Sequence, residues 1–160
     1  MSEKRVQRRQ SRILALKALF FYLERYEKQD LKACFDYVLN EVDEVKVDRN
    51  AVVSEEKAEL QKNEDEFGWE IIETAVENKG KIKLLIRAFA PEYEFDKIAP
   101  INRALLILGI CEMKFMETPP VVVINEYIEM AKQYGEDKSP SFVNGVLDSY
   151  RKSLGLERTR

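Results

Sequence analysis

Five cations, Lys4, Arg5, Arg8, Arg9 and Arg12, crowd the first twelve residues against a single acid, Glu3. The whole chain carries a net charge of −3, so the excess is local. Arginine-rich segments pair with phosphates, stack their guanidinium planes on bases, and order on RNA. Charge alone leaves two readings of residues 1–12: a flexible basic arm for RNA or a solubilising tail. Phe20, Phe21 and Tyr22 follow closely. Their rings offer surfaces on which unpaired bases stack, although packing claims most aromatic side chains first. Phe20 falls on the apolar stripe of its helix, with Phe21 and Tyr22 turned partly outward.

Catalysis has little to work with. The chain has no histidine. That removes Ser-His-Asp triads, Cys-His dyads, HExxH zinc sites and imidazole acid–base chemistry. Neither GxxxxGK[ST] nor GxGxxG occurs, so no phosphate-cradling loop is legible. Carboxylates are abundant, but on solvated helices their pairing is expected by chance. No nucleophile–base pair emerges, and an enzyme, a metal site or a cofactor is not expected. Cys34 and Cys111 each sit in an apolar run and read as small reduced core residues.

The elements that must position these side chains are helical. The chain has 160 residues, 45% of them hydrophobic and 34% charged, with only 6 Gly and 5 Pro. So few breakers favour an all-α fold of one domain or two small subdomains. Ile13, Leu16, Leu19, Phe20, Leu23 and Tyr26 predict a helix from about Ser11 to Lys28. Asp30 is placed to cap a second, whose apolar face runs from Leu31 to Val42. Residues 41–66 hold ten acids and four bases and read as a solvated acidic connection. Phe67 to Phe89 reads as a helix that Gly80 kinks or breaks. A short element follows near Phe95–Ile98.

Pro100 opens the most apolar stretch, INRALLILGICEMKF, a buried central helix. Glu112 within it needs a hydrogen-bond partner. Thr118-Pro119-Pro120 breaks the chain. A further helix ends at Gly135, and Val143, Val146, Leu147, Tyr150 and Leu154 stripe the last. No run is long and uncharged enough to span a membrane, and no secretory signal is legible. A cytoplasmic protein is expected.

The segment NEYIEMAKQYGEDKSPSFVNGVLD carries the sharpest signal. Asn144-Gly145 inside a helix opposes helix propensity. The glycine suggests close helix–helix approach and the asparagine a specific hydrogen bond. Asn125, Glu126 and Asn144 also read as buried polar staples. Phe142 lies at the edge of its apolar stripe. This segment resembles the NusB family pattern, INExxELAKxFG followed by EDSxxFVNGVLD. It matches at Ile124-Asn125-Glu126, Ala131-Lys132, Tyr134 to Asp137 and Ser141 to Asp148. Upstream, Ile101 to Leu106 resembles VDRAIL, and Cys111-Glu112-Met113 resembles YEL. At the front, Arg8 to Arg12 with Ala15 to Phe20 resembles RRxARExALQALY.

The resemblance implies a NusB-like helical bundle with two helical subdomains around a shared core, spanning residues 1–160. It implies a non-catalytic transcription antitermination factor. Such proteins bind boxA-type single-stranded RNA with NusE, a small-subunit ribosomal protein, and modulate the RNA polymerase elongation complex, notably in rRNA operons. Carried over by position, Lys4, Arg5, Arg8, Arg9, Arg12, Phe20, Asp137, Phe142 and Asn144 are the RNA-binding candidates. Two other readings stay open: an RNA-binding accessory to an rRNA methyltransferase acting in trans, and a helical scaffold without RNA. A homodimer is also open. Three positions depart from the pattern. Ile13, Asn102 and Ile107 replace charged residues, each at a place that could face RNA or NusE.

Overall fold

The computed structural model describes residues 3–25, 30–46 and 55–155, with side chains for 6–24, 30–40 and 66–155. Among the described residues every regular element is helical. The helices are α1 (Glu3–Arg25), α2 (Leu31–Lys46), α3 (Glu55–Glu77), α4 (Lys79–Phe89), α5 (Pro100–Phe115), α6 (Pro120–Tyr134) and α7 (Ser139–Ser153), with a 3-10 turn at Phe95–Lys97. Two compact units result, Met1–Glu73 and Thr74–Arg160, with the boundary inside α3.

In the first unit α1 packs on α2. It begins at Glu3, not at Ser11, so residues 3–12, expected as a flexible arm, form its first turns. Arg, Lys and Gln are good helix formers, and this stretch contains neither Gly nor Pro. Ser11 does not cap. Its hydroxyl donates back to the Gln7 carbonyl at 3.1 Å, a mid-helix bond. The cap expected at Asp30 forms, with the Lys32 N–H donating to Asp30 Oδ1 at 3.0 Å. The core gathers Ala15, Leu16, Ala18 and Leu19 with Cys34, Phe35 and Val38. α3 comes close to α1 at Gly68, where a Cβ would lie 3.2 Å from the Ser11 carbonyl oxygen. The acidic stretch lies within α2 and α3 at its ends, and residues 47–54 are outside the described ones.

In the second unit the break falls at Asn78, not at Gly80. The Asn78 side chain donates to the Thr74 carbonyl at 2.8 Å and turns the chain between α3 and α4. α5 is the central element. It packs on α4, α6 and α7, and its residues from Ala104 to Met113 are all buried. Burying each of its large aliphatic side chains contributes roughly 1.5–3 kcal/mol. Close helix approach occurs at Gly109, where a Cβ would lie 3.0 Å from Leu147. It does not occur at Gly145, which has open space beside it. The α7 stripe is buried except Leu154, which is exposed.

Glu112 has the partners its burial demands. Tyr127 Oη donates to Oε2 at 2.6 Å, and Thr118 Oγ1 donates to Oε1 at 3.2 Å. This ties α5 to α6 and to the loop between them. Cys34 and Cys111 are buried and are not joined in a disulfide.

Candidate nucleic-acid interface

The basic turns of α1 are built around one ring. Arg8 Cζ lies 3.7 Å from the Phe67 centroid and Arg12 Cζ lies 5.6 Å from it. The four-residue spacing places both guanidinium groups on one face of the helix. Their exposure differs. Arg8 and Arg9 are half-buried, whereas Arg12 is only 5% exposed. Arg12 therefore presents little surface to an incoming strand, and its chief visible role is packing. Lys4 and Arg5 lie on helical backbone, but their side chains are outside the described residues.

The aromatic run is phased differently from the sequence expectation. Phe20 is 38% exposed and Tyr22 is buried. The buried face is set by Ala15, Ala18 and Leu19, which Tyr22 joins. At about 100° per residue, Phe20 falls well off that face. Phe21 stacks on the exposed Tyr37 of α2, with centroids 5.4 Å apart and planes at 14°.

The second unit carries the other candidates. The turn before α7 is held by reciprocal bonds: the Glu136 N–H donates to Ser139 Oγ at 2.9 Å and the Ser139 N–H to the Glu136 carbonyl at 3.0 Å. Gly135 makes this turn possible, since a Cβ there would lie 2.5 Å from Ser139 Cβ. The turn leaves Asp137 exposed. Five residues on, Phe142 is half-buried and meets Tyr93 edge-to-face, with centroids 4.9 Å apart and planes at 71°. Tyr93 is 52% exposed.

These rings border a groove of about 380 Å³ between α7 and the loop after α4. Phe89, Pro91 and Val146 form apolar wall, and Lys138, Ser141 and the acidic Glu92 add polar groups. Gly145 lines it without a side chain to fill it. Apolar and aromatic walls with a lysine among the lining groups suit an unpaired base and its phosphate.

The polar residues of the signature divide. Glu126 is buried, but Asn125 is exposed. Asn144 is half-buried, and its buried Oδ1 has no partner among the described residues. The specific hydrogen bond expected of this asparagine is thus not made by its carbonyl oxygen. Arg151, 3% exposed, donates to Asp148 Oδ1 from Nε at 2.8 Å, and Lys152 lies 3.4 Å from Oδ2.

The three departures from the pattern all fall inside. Ile13 is 9% exposed, Asn102 9% and Ile107 2%. In this chain they are packing positions, not exposed ones that have lost a charge. Tyr93 was not singled out from sequence. It lies in a loop, where no periodicity marks a side chain, and only its contact with Phe142 identifies it.

The arginines and Phe20 belong to the first unit, and Asp137, Phe142 and Asn144 to the second. Each set is a surface of its own unit.

Residues 9–152 match the NusB family. A transcription antitermination protein NusB of Chloroherpeton thalassium is 34% identical over 145 residues, covering 90% of this chain and 61% of that protein. Its counterpart in Helicobacter hepaticus is 35% identical over 99 residues, covering 61% of this chain and 63% of the relative. The matched segments thus span less than two thirds of these relatives' length. The solved structure of NusB from T. maritima superposes with a TM-score of 0.72 at 29% identity, covering 91% of this chain and 90% of that one. A chain from a crystal structure of the antitermination factors NusB and NusE in complex with dsRNA gives a TM-score of 0.74 at 22% identity, covering 92% and 98%. The latter likeness is one of fold.

Proposed function

The chain belongs to the NusB family, and from that premise we propose that it is an RNA-binding transcription antitermination factor. It binds boxA-type single-stranded RNA together with NusE and acts on the RNA polymerase elongation complex, in rRNA operons above all. The function is binding, without a catalytic step. Among the described residues no helix is long and apolar enough to cross a membrane, and the proposed setting is the cytoplasm.

The observation that carries this reading is the groove beside Phe142. An edge-to-face aromatic pair, a glycine that leaves the wall open and a lining lysine come together at the helix with the family signature. The exposed Phe20 and the half-buried Arg8 and Arg9 supply the same chemistry in the first unit. The NusB–NusE complex with dsRNA supports the choice of partners. Asp137 and Asn144 complete the proposed contact set, with Lys4 and Arg5 added from sequence.

Ultraviolet crosslinking of boxA-type RNA to the chain, followed by peptide mapping, tests the assignment. Crosslinks are expected on the peptide holding Phe142 and on the basic turns of α1. Crosslinks confined to other peptides would overturn it.

A further inference from the structure

The candidate set above leaves one strongly charged surface unused. α4 holds Lys79, Lys81, Lys83 and Arg87 and no acid at all, in a chain whose net charge is −3. Lys79, Lys83 and Arg87 recur every fourth residue, so they form a row beside the buried Ile82 and Ile86 with a step of about 6 Å. Among the described residues Lys81, Lys83 and Arg87 make no ion pair. A merely solubilising face intersperses its signs, as α2 does where Lys32 pairs with Asp36 at 3.3 Å. α4 does not.

Neighbouring elements extend the row. Lys83 Nζ lies 4.9 Å from the Phe95 centroid, and Arg103 Cζ of α5 lies 5.8 Å from the same ring. Glu92, Glu94 and Asp96 lie on the intervening loop, and Glu94 is paired with Lys97 at 3.4 Å. Even so, cations outnumber acids six to three from Asn78 to Arg103. The row and the groove share the C-terminal end of α4, on different faces of the helix. Arg87 precedes by two residues Phe89, which lines the groove.

We infer that this row is a second, sequence-independent RNA contact: it takes the sugar–phosphate backbone of the RNA flanking the boxA-type element, where the strand leaves the Phe142 groove. The inference rests on the RNA-binding reading above. A cation step of about 6 Å is comparable to the separation of successive phosphates in an extended strand. Leu84 is the exposed large apolar side chain of this helix, too little for insertion into a lipid surface.

The test uses the full chain, K83Q/R87Q and K79Q/K83Q/R87Q. Each is titrated by fluorescence anisotropy with a boxA-type RNA and with the same RNA extended at both ends, over a range of salt. Circular dichroism checks that the variants stay helical. The parent is expected to bind the extended RNA several-fold more tightly than the short one. The variants should lose that gain and keep their affinity for the short RNA. On the extended RNA their salt slope should fall by about 0.7 per contact removed. No gain on extension, or a gain and slope unchanged in the variants, overturns the inference while leaving the RNA reading intact. A parent that binds neither RNA overturns both. Loss of the gain when an acidic peptide competes, without any change of slope, assigns the row to protein instead and also overturns it.

Discussion

Tyr93 and Phe142 meet edge-to-face beside the groove, 4.9 Å between centroids. The contact joins the loop after α4 to the helix that bears the family signature. It gives Phe142 a fixed wall and leaves Tyr93 half-exposed. Such pairs contribute about 0.5–1.5 kcal/mol beyond their buried area. Phe142→Ala removes a stacking surface and should weaken RNA binding by about 1–3 kcal/mol. Tyr93→Leu should weaken it less, by freeing the Phe142 ring. Anisotropy titrations of both variants check this, and a Tyr93→Leu variant that binds as the parent does would remove Tyr93 from the site.

Arg8 and Arg12 share the Phe67 ring but not its exposure. Arg12→Ala should act on stability, at a cost of about 1–3 kcal/mol through lost packing and unpaired neighbours. A joint Arg8→Gln and Arg9→Gln change should act on RNA affinity and lower its salt slope by roughly 1–2. Urea unfolding and salt-dependent titrations of the same proteins separate the two effects. An Arg12→Ala variant of parental stability would return Arg12 to the exposed set.

Much of this was legible beforehand. INRALLILGICEMKF is apolar on nearly every face, and only a buried central helix satisfies that. The Asp30 cap was equally plain. The phase of α1 was not. Large apolar side chains suggested one stripe, while the small Ala15 and Ala18 mark the face that packs. That is why Phe20 turned outward and Tyr22 inward. Gly145 illustrates a second limit. A helical glycine signals either close approach or an open wall, and sequence does not distinguish Gly109, pressed on Leu147, from Gly145, facing a groove. The interface is half legible: residue types and positions follow from pattern, but Tyr93 is marked only by its contact with Phe142. Likewise Asn102 and Ile107, which looked like lost surface charges, are interior.

The Glu112–Tyr127 bond is buried at both ends. Tyr127→Phe keeps the ring and removes the donor, so it should cost roughly 1–3 kcal/mol. A domain of this size then loses about 2–4 °C in Tm for each kcal/mol. Calorimetry checks the value, and an unchanged Tm would mean that Glu112 is satisfied without Tyr127.

Asp148 sets a pH dependence. Burial works to raise its carboxyl pKa, but the hydrogen bond and charge of Arg151, and then of Lys152, outweigh it and hold the group below its ordinary value. A depressed folded pKa contributes stability that is present above the unfolded value, about 3.9. It is lost as pH falls through the lower folded value. Asp148→Asn should therefore cost about 1.5–3 kcal/mol near neutrality, and the gap to the parent should close in acid. Thermal unfolding of both proteins across pH checks this. A gap as wide in strong acid as at neutrality would contradict it.

Recognition of boxA-type RNA with NusE is the proposed activity. It is tested most directly by titrating the full chain with boxA-type and scrambled RNA, with and without NusE. Preference for the boxA-type RNA, tighter binding when NusE is added, and affinity that falls steeply with salt are expected. Equal binding of the two RNAs, with no gain from NusE, would contradict it.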